Sequence, residues 1–129
     1  MAIIAPTVTE SDPQAFQAKI ATVSQFAQRL HLDFSDGDFS PVKMVNLVQA
    51  VWPQELEIDI HMMVKQPRLE LETVIAKQPR TAIFHAEADG LADLVEEVKT
   101  NGIRFGVAIL ADTTVAVSYT HLRAHETPI

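Results

Sequence analysis

The chain has 129 residues, 47% apolar and 21% charged, which suits one globular domain with a core and argues against disorder. Seventeen acidic against ten basic residues give a net charge of −7 with no basic patch, so nucleic acid is a poor partner. Cysteine is absent, which excludes disulfides and thiolate metal sites. No run approaches the ~18–20 apolar residues of a membrane span, so no membrane partner is expected and the expected location is the cytoplasm. An anionic small ligand stays open, since phosphates are often held by backbone N–H groups rather than by bulk charge.

In chain order, the apolar residues 2–5 before Pro6 predict a first strand. Asp12-Pro13 is a helix start, Asp as N-cap and Pro at the first helical position. Phe16, Ile20, Val23 and Ala27 then recur at helical spacing. Residues 29–33 predict the second strand, followed by an acidic turn at Asp36-Gly37-Asp38. Met44, Val45, Leu47, Val48 and Val51 predict a helix of two to three turns, stopped by Pro53. Residues 57–64 predict the third strand, and Pro67 opens a short helix carrying Leu71, Val74 and Ile75. Residues 81–85 predict strand four. Leu91, Leu94, Val95 and Val98 mark a further helix, ended by Asn101-Gly102. Residues 104–110 predict strand five, a near-continuous apolar run of the kind buried on both faces.

Strands and helices thus alternate at roughly 25-residue spacing, which argues for parallel βαβ units. The fold class is α/β. Two architectures fit: the first four to five βα units of a (β/α)₈ TIM barrel, or a small doubly wound parallel sheet. A barrel needs about 200–250 residues, so on that reading the chain is a truncated first half, with its first and fifth strands as open edges.

His31 and Asp33 stand two apart near the end of a strand, so they share a face where a βα loop begins, the place α/β folds keep their chemistry. His61 and His85 occupy matching positions on later strands. Three histidines at equivalent strand ends, one paired with an Asp, favour a ligand role over the structural role of a lone histidine. Two imidazoles and a carboxylate suit a divalent metal such as Zn, Fe, Mn or Co, without choosing among them. Asp59, two residues before His61, reads as structural, a layer lower. Asp38 and Glu87 read as solvated loop residues, and Asp36-Gly37 as a turn rather than a calcium loop. Walker, Gly-x-Gly-x-x-Gly and nucleophile-elbow motifs are absent.

Leu30-His31-Leu32-Asp33-x-x-Asp36-Gly37-x-Phe39-x-Pro41, Asp59-Ile60-His61-Met62-Met63-Val64-x-x-Pro67, Ile83-Phe84-His85-x-Glu87-Ala88 and Gly106-Val107-Ala108-Ile109 follow one another along the chain. In that order and spacing they resemble ribulose-phosphate 3-epimerase. The resemblance implies the first half of a TIM barrel and a metal-dependent isomerase of the pentose phosphate pathway. It would interconvert ribulose 5-phosphate and xylulose 5-phosphate through an ene-diolate. It further implies His31, Asp33 and His61 as metal ligands, Asp33 as a catalytic acid/base, and Thr7, His61 and Met63 as substrate contacts. A fourth ligand, which is also the second acid, belongs to a seventh strand, and the phosphate loops follow strands seven and eight. The fragment alone is therefore expected to be inactive.

Thr7, Ser35, Asp38 and Leu110-Ala111 depart from the family pattern. Ser35, Asp38 and Leu110-Ala111 motivate one alternative, a non-catalytic phosphosugar-binding paralogue; a ketohexose-phosphate 3-epimerase is the other. The expected partner is a phosphorylated ketose, and a homo-oligomeric parent is left open. Residues 117–127 resemble one translated frame of a transposase sequencing adapter. The expected division is therefore a partial barrel domain over 1–116 and a non-native tail over 117–129. His121 and His125 of that tail lack the Glu directly after the first His that a zincin helix requires.

Overall fold

A computed structural model describes residues 2–111. The tail expected to be adapter-derived, 117–129, lies outside the described residues. Five parallel strands pair strictly in sequence order: β1 (Thr7–Val8), β2 (Arg29–Ser35), β3 (Glu57–Met63), β4 (Thr81–His85) and β5 (Arg104–Ala108). A doubly wound sheet reverses its strand order at a switch point, and this sheet has no reversal among the described strands. The sequential order is that of a (β/α)₈ barrel wall.

The helices follow their start and stop signals. Asp12 is extended and its side chain accepts the Ala15 N–H, while Pro13 opens α1 (Pro13–Val23). Pro67 begins a 3₁₀ turn (Pro67–Glu70) that runs into α2 (Leu71–Lys77). A second such turn (Leu91–Leu94) leads into α3 (Val95–Thr100), and Gly102 at φ +78° terminates it.

The apolar core lies between the sheet and these helices. Leu30, Leu32, Phe34, Ile58, Ile60, Met62, Ala82 and Phe84 alternate outward from the strands to meet Phe16, Ile20, Val74, Leu94 and Val98. Each residue between them points to the other face of the sheet. Burial of one face therefore fixes the register, and a slip of one residue would turn His31, Asp33 and His61 into the helix layer.

Three expectations need correction. The first strand is Thr7–Val8 rather than residues 2–5, where Ile3 and Ile4 are exposed. Pairing begins where the Pro6 carbonyl accepts the His31 N–H at 2.8 Å, one residue before the Thr7↔His31 register. The helix expected over 44–51 is a single 3₁₀ turn, Leu47–Gln49. Its backbone is held by side chains instead. Gln17 accepts the Val51 N–H and donates to the Val51 carbonyl, and Lys77 Nζ donates to the Ala50 carbonyl at 2.6 Å. Val48 and Val51 stay exposed. Strand five is not buried on both faces, because among the described strands only β4 pairs with it and Val107 is exposed.

Candidate metal centre

The register puts Asp33 of β2 opposite His61 of β3, and His31 opposite Asp59. Being two apart on one strand, His31 and Asp33 share the sheet face away from the helices. His31 Nε2 and His61 Nδ1 both converge on Asp33 Oδ1, at 3.1 and 3.2 Å, while Thr9 Oγ1 donates to Asp33 Oδ2 at 2.8 Å. Among the described residues, His31, Asp33 and His61 are the one group of three whose ligating atoms lie within 4.8 Å of one another.

The donor set fits a divalent cation. Metal–ligand bonds of about 2.0–2.2 Å put neighbouring donors about 3.0–3.5 Å apart, and the two imidazole–carboxylate separations, 3.1 and 3.2 Å, fall in that interval. Two imidazoles with one carboxylate match the borderline metals without selecting one.

Burial works against ionisation of Asp33, but bonds from His31, His61 and Thr9 outweigh it and hold the carboxyl far below its usual range. The site thus presents a fixed negative charge. His31 takes the opposite shift: its bond to Asp33 raises its pKa above 6.5 despite partial burial. His85 is shifted down, mainly by burial and then by His61, with Glu87 opposing.

One layer below, Asp59 is buried and bonds Arg29 Nε at 2.7 Å, with Arg80 at 3.7 Å. It is the structural group expected. The acidic turn is loop geometry, as expected. Asp36 Oδ1 accepts the N–H groups of Asp38 and Phe39, and its Oδ2 accepts that of Lys65 in the loop after β3. These bonds, opposed by burial, lower the Asp36 pKa.

Replacing Asp36 by Ala strands three N–H groups and is expected to cost ~1–3 kcal/mol in urea unfolding. The charge-dependent part of Asp36's contribution is complete above the unfolded carboxylate value of ~3.9 and fades as pH falls through the lowered folded value. The gap between wild type and Asp36→Ala should therefore narrow below about pH 4. A gap that widens in acid would refute that role.

Thr7 is exposed beside His31, and Met63 is half-buried on the same face as His61. Ser35 turns its Oγ to accept the Gly37 N–H. Two contacts escaped the sequence reading. Thr9 bonds Asp33 from just beyond β1, although the i, i+2 alternation with Thr7 placed it on the right face. Glu87 is not free in solvent, because it lies 3.4 Å from His85 Nδ1 and accepts the Leu110 N–H. His85 Nε2 is 2.8 Å from His61 Nε2, behind the three-residue cluster rather than in it.

The ribulose-phosphate 3 epimerase family model matches residues 3–126. The chain belongs to this family. It is similar to the ribulose-phosphate 3-epimerases of Bacillus subtilis (29% identity over 119 residues), Treponema pallidum (27% over 120) and Eremothecium gossypii (31% over 133). These alignments take in 88%, 88% and 91% of this chain but 55%, 54% and 56% of the relatives. The chain thus spans about half the length of the curated relatives it matches. Family membership accords with the barrel-type strand order. No helix among the described residues is long and apolar enough to cross a membrane.

Proposed function

We propose that this chain carries the metal-binding and proton-abstracting half of an epimerase site that interconverts ribulose 5-phosphate and xylulose 5-phosphate. The observation behind this reading is the convergence of His31 Nε2 and His61 Nδ1 on one oxygen of an ionised Asp33. Family membership supports the choice of substrate.

His31, Asp33 and His61 would hold the cation, which when bound supplies positive charge to stabilise an ene-diolate. Asp33 removes the proton at C3, and the Thr9 hydroxyl orients the carboxylate by holding Oδ2. Thr7 and Met63 line the ketose, and the helix-packed outer layer keeps the strand ends rigid. Epimerisation also needs an acid on the opposite face to return the proton. The resemblance puts it on a seventh strand, and the described residues supply five.

On this reading residues 1–116 are half of a cytoplasmic barrel, 117–129 are foreign to it, and the chain by itself binds metal without turnover. A hexose phosphate substrate would use the same half site.

Zinc titration calorimetry tests the centre. Wild type should take one ion, and His61→Ala should lose about 100-fold or more in affinity, beyond the ~10–100-fold typical of outer-shell changes. Zinc needs neutral His31, whose affinity for a proton is raised by Asp33, so uptake should strengthen as pH climbs through a value above 6.5. Equal zinc binding by wild type and His61→Ala would overturn the assignment.

A further inference from the structure

We propose that His85 and Glu87 form a two-link relay that accepts a hydrogen bond from His61 Nε2–H when a cation occupies Nδ1, and so holds the tautomer a cation needs. This rests on the metal-binding role proposed above for His31, Asp33 and His61.

Four groups stand in line. Asp33 Oδ1 is 3.2 Å from His61 Nδ1, His61 Nε2 is 2.8 Å from His85 Nε2, and His85 Nδ1 is 3.4 Å from Glu87 Oε1. Both ends are carboxylates, which only accept. The two imidazoles between them, each neutral, bring two protons to three contacts. One contact goes without a proton, and the question is which.

In one arrangement His85 Nε2 donates to His61. The His61 proton then sits on Nδ1 facing Asp33, closed to any cation, and the bare lone pair of His85 Nδ1 faces the Glu87 carboxylate. In the other arrangement His61 Nε2 donates to His85, and His85 Nδ1–H faces Glu87. The unprotonated contact then falls between His61 Nδ1 and Asp33 Oδ1, the gap in which a cation fits.

With the gap empty, the ionised Asp33 draws the proton to His61 Nδ1 across 3.2 Å; a cation in that gap would remove this pull, and Glu87 would then hold the second arrangement. His85 Nδ1 is buried and makes no hydrogen bond, so the nearby carboxylate dominates its surroundings, attracting an N–H and repelling a lone pair. Water does not relieve the choice, because His85 is 6% exposed and the Phe39 ring packs on it with centroids 4.7 Å apart. The Leu110 N–H lies 3.2 and 3.3 Å from the two Glu87 oxygens and steadies that carboxylate. His85 is thus a positioning residue, acting through His61, in the manner of the carboxylate–histidine partners behind many metal sites.

Long-range ¹H–¹⁵N spectra of histidine-labelled protein, together with zinc titration of the same samples, test this. Wild type should show His61 protonated on Nε2 in the zinc-loaded protein. His85→Phe, which keeps a ring beside Phe39 but removes the acceptor, should leave the His61 Nε2–H without a partner and bind zinc about 10–100-fold more weakly. His85→Gln, whose carbonyl accepts from His61 Nε2, should recover part of the loss.

Glu87→Gln should weaken zinc binding less than His85→Phe, because the amide offers His85 either a donor or an acceptor. It stands in for His85→Phe if that variant does not fold. If wild type takes no zinc, the proposed function falls and the relay with it. If wild type and the folded variants bind zinc equally, the relay alone falls.

Discussion

Asp33→Asn is expected to cut zinc affinity by about 100-fold or more while leaving the far-ultraviolet circular dichroism unchanged. Asp33 is the point on which the candidate site converges: two imidazole nitrogens share one of its oxygens and the Thr9 hydroxyl takes the other. Asn keeps the shape and can still accept through its carbonyl oxygen, but it removes the negative charge. That charge is well defended, since the three donors hold the carboxyl ionised against partial burial. Losing it should cost more than losing an outer-shell partner, typically ~10–100-fold. In the full-length enzyme implied by the proposed function, the same change also removes the base, and kcat should fall by about 10²–10⁴-fold. Tight zinc binding by Asp33→Asn, measured by calorimetry, would show that the carboxylate is not a ligand.

The second large effect is on stability. Phe34→Ala should destabilise the fold by about 3–5 kcal/mol, a large fraction of the ~5–15 kcal/mol that holds a typical domain together. Phe34 is 1% exposed and its ring lies 6.0 Å from that of Phe16 on α1. The substitution removes both its buried area and its packing partners, and the small relaxation available leaves a cavity. Because Phe34 follows Asp33 directly on β2, its burial also anchors the strand segment that presents the carboxylate. Urea unfolding followed by circular dichroism measures the loss. A change below about 1 kcal/mol would mean that this layer is not the core. Phe34→Leu, which refills most of the space, should cost much less.

The cluster was legible because its logic is local. His31 and Asp33 share a face by strand alternation, and His61 reaches them because adjacent parallel strands present equivalent positions side by side. The helix ends were legible for the same reason, since Asp12-Pro13 and Asn101-Gly102 act on their own backbone.

What escaped depends on partners distant in sequence. Met44 to Val51 carries a helical pattern, yet Gln17 and Lys77 hold that backbone open, and no local pattern announces them. Glu87 looks like any loop acid until the turn after β4 folds it back towards His85. Strand order was equally out of reach of periodicity. Whether β3 sits beside β2 or crosses to another edge is decided by how helices cover the sheet, and here they leave every strand next to its predecessor.

That ordering has a meaning for synthesis on the ribosome. Each strand finds its pairing partner roughly 25 residues back, so no strand in the described part waits for chain made much later. A growing chain can dock each βα unit as it emerges, with loop closures that stay short and contacts of modest sequence separation, the regime in which folding is quick. The candidate ligands arrive in the same order. His31 and Asp33 come with β2 and His61 with β3, so the three clustered groups are in place before β4 has been translated.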